Sequence, residues 1–188
     1  MRHRRIATRA RAFNAALQLI AGRPSQVALP LAYWKSSALL PPVGKMDPAF
    51  VGCGLLWYPP LVPMRPEFVK RYVALVNEIC TSHGIEPLIT LTTLSDRCFD
   101  SSVPLLFDRG DANQTARAQS CYWALLEAGR REGFLPYRMN VDAMQWITGC
   151  DAPYWDIVAA IKEAIDPSGI IAPGVICMLS RFVAVVRL

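Results

Sequence analysis

Residues 52–84 read GCGLLWYPPLVPMRPEFVKRYVALVNEICTSHG, and the fold depends on this stretch. Its first seven residues are mostly apolar with an aromatic end, which predicts a strand that Pro59 and Pro60 stop. Pro66 then suits the first turn of a helix, and apolar side chains recur at helical spacing as far as Gly84. The stretch therefore predicts a strand and, directly after it, an amphipathic helix.

The rest of the chain adds further elements to this pair. The same signals predict two strands, a long helix, a short extended segment and two shorter helices, at residues 87–94, 103–107, 112–131, 136–140, 141–147 and 154–165. Pro104 should confine its strand to a sheet edge. The resulting order is that of the split βαβ, ferredoxin-like folds. We therefore expect an α+β domain whose antiparallel sheet carries its helices on one face and leaves the other exposed.

The N-terminal region is basic, whereas the rest of the chain is neutral. Residues 7–21 should form a helix ending near Gly22, and residues 23–48 are proline-rich and irregular. The chain has 20 Lys and Arg against 15 Asp and Glu, and five arginines lie within its first 11 residues. Such an arm could bind nucleic acid or anionic lipid. The remaining sequence has no basic surface with interleaved aromatic residues, so we expect neither nucleic acid nor a membrane as partner.

Composition excludes several classes of protein. With 188 residues, 53% of them hydrophobic and 19% charged, the chain is too apolar for intrinsic disorder and long enough for a substantial core. No apolar run is long enough to predict a membrane span. The six cysteines form no C-x-x-C pair and only two histidines are present, so no metal site is expected. The cysteines are predicted to be reduced core thiols.

Five segments together resemble one enzyme family. They are LIAGRPS at 19–25, LAYWK at 31–35, GCGLLWYP at 52–59, PYR at 136–138 and AIDPSGIIAPG at 164–174. This set is similar to the C-terminal part of the FAD-linked oxidases of the vanillyl-alcohol oxidase and p-cresol methylhydroxylase family. The resemblance implies three regions: residues 1–48 as a basic helix and irregular segment, 49–174 as the substrate-covering cap domain, and 175–188 as a divergent apolar tail.

The resemblance also implies a function and its residues. The family transfers hydride from the benzylic carbon of a para-substituted phenol to FAD, and the protein holds the phenol as a phenolate. Tyr137 and Arg138 match the pair that would donate to this phenolate, and Pro173 and Gly174 match positions expected to contact FAD. The implied partners are an aromatic small molecule and, for a dehydrogenase, a c-type cytochrome. The exposed apolar sheet face further predicts a partner such as a second copy of the chain.

Structural alternatives stay open for the two candidate catalytic residues. Tyr137 could be a half-buried aromatic with a satisfied hydroxyl, and Arg138 could form a surface ion pair with Asp142. Some family members attach flavin through a histidine near the position of Gly54, so covalent attachment through this segment is not expected. Others carry a histidine where this chain has Asp100-Ser101, so the group that handles the benzylic oxygen should differ.

The sequence also departs from the family in extent. It contains no G-x-G-x-x-G loop and no FAD-binding domain, and the match stops at Gly174. We therefore expect the chain to be an incomplete or frameshifted part of an enzyme, inactive alone. The alternative function is a non-catalytic remnant or binding module.

Overall fold

A computed structural model of the protein describes residues 2–37, 39–42, 44–148 and 153–172. The chain divides into two compact units, one comprising residues 1–135 and the other beginning at residue 136. The domain boundaries predicted at residues 48 and 174 stay predictions.

The described elements follow the predicted order closely. In the first unit they are α1 (Arg2–Ile20), a short 3₁₀ helix (Leu29–Tyr33), β1 (Cys53–Tyr58), β2 (Leu61–Pro63), α2 (Pro66–Ser82), β3 (Thr90–Thr93), β4 (Cys98–Asp108) and α3 (Ala112–Glu132). The second unit contains α4 (Val141–Thr148) and α5 (Pro153–Ile165). In the described part of the chain, no helix has both the length and the apolar character needed to cross a bilayer.

The long strand β4 is the centre of an antiparallel sheet. β1 pairs with its C-terminal half, from Cys53 opposite Asp108 to Tyr58 opposite Val103. β2 continues the same register along the same edge, with Leu61 opposite Asp100, and β3 pairs with the other edge. The α+β class and the antiparallel sheet are thus confirmed.

The prediction that Pro104 confines residues 103–107 to a sheet edge is confirmed locally: these residues pair with β1 on one side, and the pairing of β3 on the other side ends at Ser102. Pro104 is in the middle of β4 and lies opposite Trp57 of β1. Ser101 N–H donates to Pro60 and Arg109 N–H donates to Gly52, so odd-numbered residues of β4 donate toward β1 and Pro104 faces the other edge. On that other edge, β3 pairs with β4 only as far as Ser102, which lies opposite Thr90. The missing N–H of Pro104 therefore falls where no strand needs it.

Helices α2 and α3 contact each other and both contact the sheet, as predicted for helices on one face. The core between these layers is formed by fully buried side chains that include Tyr58, Tyr72, Val103, Leu105 and Leu125. Helix α3 is capped at its start by Asp111, whose side chain accepts from the N–H groups of Asn113 and Gln114. It ends at Gly133 in the left-handed conformation that glycine favours.

The irregular segment before β1 covers one end of the sheet. Tyr33, Met46 and Cys53 are buried together there, beneath the 3₁₀ helix. Ser37 N–H donates to Asp108 Oδ2 at 2.9 Å, which ties the segment to the end of β4. Hydrogen bonds from the Ser37 side chain and backbone, with the one that Gly110 N–H donates, lower the pKa of Asp108.

The predicted short strand at residues 136–140 does not form in the structure. Asn140 instead begins α4, since its side-chain oxygen accepts from Ala143 N–H at 2.9 Å. The predicted turn after α5 is confirmed: Gly169 has φ 64°. There the buried Asp166 carboxylate accepts from the N–H groups of Ile170 and Ile171 and pairs with Lys162.

Candidate functional site

The face of the sheet opposite the helices, here called the open face, is formed by alternate residues of β1 and β4. Leu55 lies opposite Leu106, and Trp57 lies opposite Pro104. Leu55 is 43% exposed and Trp57 is 36% exposed, although both are large apolar side chains of a strand within the sheet. A sheet normally buries such residues under another layer, so this part of the open face has the character of an apolar binding wall.

The other end of the open face is polar. Asp100 follows the same alternation along β4, between Leu61 of β2 and Thr92 of β3. Its Oδ1 is buried and has no hydrogen-bond partner in the described part of the chain. An unpaired carboxylate oxygen is costly to bury, which makes Asp100 a candidate to accept a hydrogen bond from a ligand. Sequence reasoning noted this position only as a departure from the family pattern, and the strand alternation is the signal that identifies its face.

Ser101, the next residue, points to the helix side and has a structural role. It is completely buried, and its hydroxyl donates to Thr90 O at 3.1 Å. The Tyr72 hydroxyl lies 2.7 Å from the Ser101 Oγ and donates to it. Burial raises the pKa of Tyr72 above its ordinary value, so this phenol stays neutral and the contact links α2 to the sheet.

Gly54 also lies on the helix side of the sheet. A Cβ atom there would lie 2.5 Å from ring carbons of Phe107, its partner across β1 and β4. The Phe107 ring therefore occupies the space of a side chain at residue 54.

The predicted pair Tyr137 and Arg138 lies in the second unit, just before α4. Both side chains are exposed, and the Arg138 guanidinium carbon lies 5.4 Å from the Tyr137 ring centroid, a cation–π contact. The alternative ion pair between Arg138 and Asp142 does not form among the described residues. The structure thus brings the two predicted residues together, and no carboxylate of the described ranges pairs with the guanidinium.

The predicted FAD contacts and the possibility of a metal site concern other parts of the chain. Pro173 and Gly174, predicted to contact FAD, lie outside the described residues. Within the ranges that the structure describes, no group of three or more His, Cys, Asp or Glu side chains could hold a metal ion. The same ranges contain no glycine-rich phosphate loop.

Comparison with curated proteins finds two clear relatives. The chain is 32% identical over 153 residues to the 1'-carboxy-chondrochloren decarboxylase of Chondromyces crocatus, covering 81% of this chain and 28% of that protein. It is 27% identical over 124 residues to the flavoprotein subunit of 4-cresol dehydrogenase (hydroxylating) of Pseudomonas putida, covering 65% and 24%. The chain therefore spans about a quarter of the length of these relatives. No family model matches it.

Solved structures give the same result. A crystal structure of p-cresol methylhydroxylase with substrate bound matches with a TM-score of 0.61 and 27% identity, over 65% of this chain and 24% of that one. The 4-ethylphenol oxidase from Gulosibacter chungangensis, in complex with isoeugenol, has a TM-score of 0.59 over 68% and 25%. At 22% identity the second comparison supports the fold alone.

These relatives match the family that the five sequence segments resemble. The observed antiparallel sheet with its helices is the fold that the resemblance implies, and the structural neighbours share it. The chain is thus a homologue of the C-terminal, cap-forming part of FAD-linked oxidases of the vanillyl-alcohol oxidase and p-cresol methylhydroxylase type.

Proposed function

We propose that the chain is the substrate-covering module of a flavin-dependent oxidoreductase that acts on para-alkylphenols or related aromatic alcohols. FAD is the proposed hydride acceptor, and another part of the enzyme would hold its pyrophosphate and adenine. The observation that carries this proposal is the open face, where exposed Leu55 and Trp57 lie on the same side of the sheet as Asp100, whose Oδ1 has no partner among the described residues. An apolar wall with one polar end is complementary to an aromatic ring bearing an oxygen.

Tyr137 and Arg138 are proposed to hold the phenolate oxygen. A guanidinium without a carboxylate partner keeps its full charge available for an oxyanion, and stacking on the Tyr137 ring restricts its orientation. The tyrosine hydroxyl would add a neutral hydrogen bond to the same oxygen. Together the two donors would favour the ionised phenol, from which hydride loss at the benzylic carbon of the para substituent is easier.

Asp100 is proposed to act at the benzylic carbon of the substrate. Its buried Oδ1 lacks a partner among the described residues, and a carboxylate there could accept a proton from water that adds to that carbon. Asp100 would thus take the part of the histidine that some family members carry where this chain has Asp100-Ser101. Pro173 and Gly174 remain proposed contacts to FAD, and a c-type cytochrome or a second copy remains a proposed partner.

A second candidate reaction is decarboxylation of a carboxylated phenol. The specific observation in its favour is that the decarboxylase of Chondromyces crocatus matches more of this chain, and at higher identity, than the cresol dehydrogenase subunit does. Both reactions need an aromatic substrate held in a fixed orientation against the same wall. They differ in the bond that breaks, so product analysis separates them.

A hybrid enzyme tests the proposal. This chain replaces the matching part of the Pseudomonas putida flavoprotein subunit, and the purified hybrid is checked for bound FAD and for cooperative melting. With 4-methylphenol we expect reduction of the flavin, seen as loss of its visible absorbance. Formation of CO₂ from 4-hydroxyphenylacetate, without bleaching by 4-methylphenol, would instead support the decarboxylase. A folded, FAD-containing hybrid inert to both substrates would favour the non-catalytic module.

Variants of the hybrid test the proposed residues. Arg138→Ala should lower kcat/KM by roughly 10²–10³, the usual loss for one donor to a developing oxyanion. Arg117→Ala is the matched control, because Arg117 is also exposed and lies on α3, on the helix side of the sheet. Equal kcat/KM for the two variants would remove Arg138 from the site.

A further inference from the structure

Two thiols lie face to face between helices α2 and α3. The Sγ atoms of Cys80 and Cys121 are 4.0 Å apart, and both residues are completely buried. They are 41 positions apart in sequence, so the contact joins two separate helices. Cys53 and Cys98 are also free thiols, and neither contacts a second cysteine within the described ranges.

The two thiols are in hydrogen-bond contact, so ionisation of one is coupled to the other. The Cys121 thiol donates to the Cys80 sulfur, and this hydrogen bond lowers the pKa of Cys80. The thiolate is the form that reacts with oxidants. Cys121 is positioned as the thiol that would react next with Cys80.

We infer that Cys80 and Cys121 form an oxidant-dependent disulfide that joins α2 to α3, with a hydroperoxide as the oxidant. The Cys80 thiolate attacks one peroxide oxygen, the O–O bond breaks, and Cys80 becomes a sulfenic acid. The Cys121 sulfur then attacks the Cys80 sulfur, the S–O bond breaks, and the Cys121 proton leaves with the oxygen as water. In total two thiols lose two electrons and one hydrogen peroxide becomes two waters.

Geometry and packing are consistent with this bond. The sulfurs must approach from 4.0 Å to about 2.05 Å, a shift within reach of side-chain rotation combined with a small movement of two packed helices. Because neither sulfur is exposed, the oxidant reaches the pair only when the helices separate transiently. The disulfide should therefore form slowly, and it should persist once the helices close around it.

Peptide mapping tests this inference on the intact 188-residue chain. The folded protein is treated with hydrogen peroxide, denatured, alkylated and digested with trypsin. Cys80 then lies in the peptide of residues 72–97, Cys121 in that of residues 118–130, and the more exposed Cys98 in that of residues 98–109. We expect a cross-linked 72–97/118–130 species that dithiothreitol removes. Alkylated, unlinked Cys80 and Cys121 at a peroxide dose that fully oxidises Cys98 would overturn the inference.

A comparison of two cysteine variants and a Tm measurement on the wild-type chain complete the test, and the second does not depend on the folding of any variant. Cys121→Ala should abolish the cross-linked species, whereas Cys98→Ala should leave it unchanged; cross-linking that depends on Cys98 instead would overturn the assignment. In the wild-type chain, oxidation should raise Tm by about 5–10 °C, because the new bond closes a long loop of the unfolded chain. Reduction should reverse the rise. A fall in Tm on formation of the 80–121 bond would contradict a bond compatible with the native packing.

Discussion

The two faces of the sheet are built from the same strands but serve different purposes. On the helix side, Val103 and Leu105 are completely buried, and Ser101 joins a hydrogen-bonded contact with Tyr72. On the open face, Leu55 and Trp57 keep more than a third of their surface exposed. The helix-side residues of β4 thus stabilise the fold, whereas Leu55 and Trp57 of β1 present a surface. Stability and the proposed function can therefore be changed separately in this domain.

The largest expected contrast is between two leucines in paired strands. Leu105→Ala should lower the free energy of unfolding by about 2–5 kcal/mol, because it removes a fully buried side chain and leaves a cavity. Leu55→Ala should lower it by less than about 1 kcal/mol, since that side chain is 43% exposed. Urea unfolding of both variants measures the difference. Equal losses would mean that the open face also belongs to the core of this chain.

Sequence patterns predicted the elements of the fold better than they predicted its sheet. Pro66 and Gly84 mark the ends of α2 through local chemistry, and this helix begins at Pro66 and ends just before Gly84 as expected. The start of β4 at Cys98 and its pairing with β3 through Phe99–Ser102 depend on non-local contacts, which no local sequence rule predicts.

The candidate site was only partly predictable from the sequence. Tyr137 and Arg138 were found through family motifs, because an adjacent Tyr-Arg pair has no chemical signature of its own. Asp100 was assigned to a face only when the register of β4 fixed the alternation. Its missing hydrogen-bond partner is a property of three-dimensional packing, which no local sequence pattern reveals.

A substitution at Gly129 should lower stability by disturbing the packing on the helix side of the sheet without touching the open face. A Cβ atom at Gly129 of α3 would collide with the Tyr58 hydroxyl and lie 2.9 Å from Phe134 O. Gly129→Ala should therefore cost about 1–3 kcal/mol of stability, despite the better helix propensity of alanine. Thermal melting measures the loss. Tyr58→Phe in the same chain removes the colliding hydroxyl and should restore part of it; a Gly129→Ala variant as stable as the wild type would refute this close packing.

The smallest expected effect concerns pH and the start of α3. The hydrogen bonds that Asp111 accepts from Gln114 and Asn113 lower its pKa below the ordinary value of about 3.9. Because the folded state holds the ionised carboxylate more strongly than the unfolded state does, the ionised Asp111 stabilises the fold above the unfolded-state pKa. This contribution is lost as the pH falls through the folded-state pKa. Asp111→Asn keeps a capping oxygen but cannot titrate. Between about pH 5 and pH 2, we expect the Tm of the variant to fall less steeply than that of the wild type, and parallel curves would contradict this.

The most direct test of the central claim compares two tryptophans in the hybrid flavoenzyme. Trp57 on the open face and Trp123 on α3 are almost equally exposed, at 36% and 39%, so their removal should have similar costs in stability. If the open face binds the aromatic substrate, Trp57→Ala should lower kcat/KM for 4-methylphenol at least about tenfold, the equivalent of about 1.4 kcal/mol, while Trp123→Ala leaves it near the wild-type value. Equal kcat/KM for the two variants, with Tm values within a few degrees, would contradict the assignment of the open face as the substrate wall.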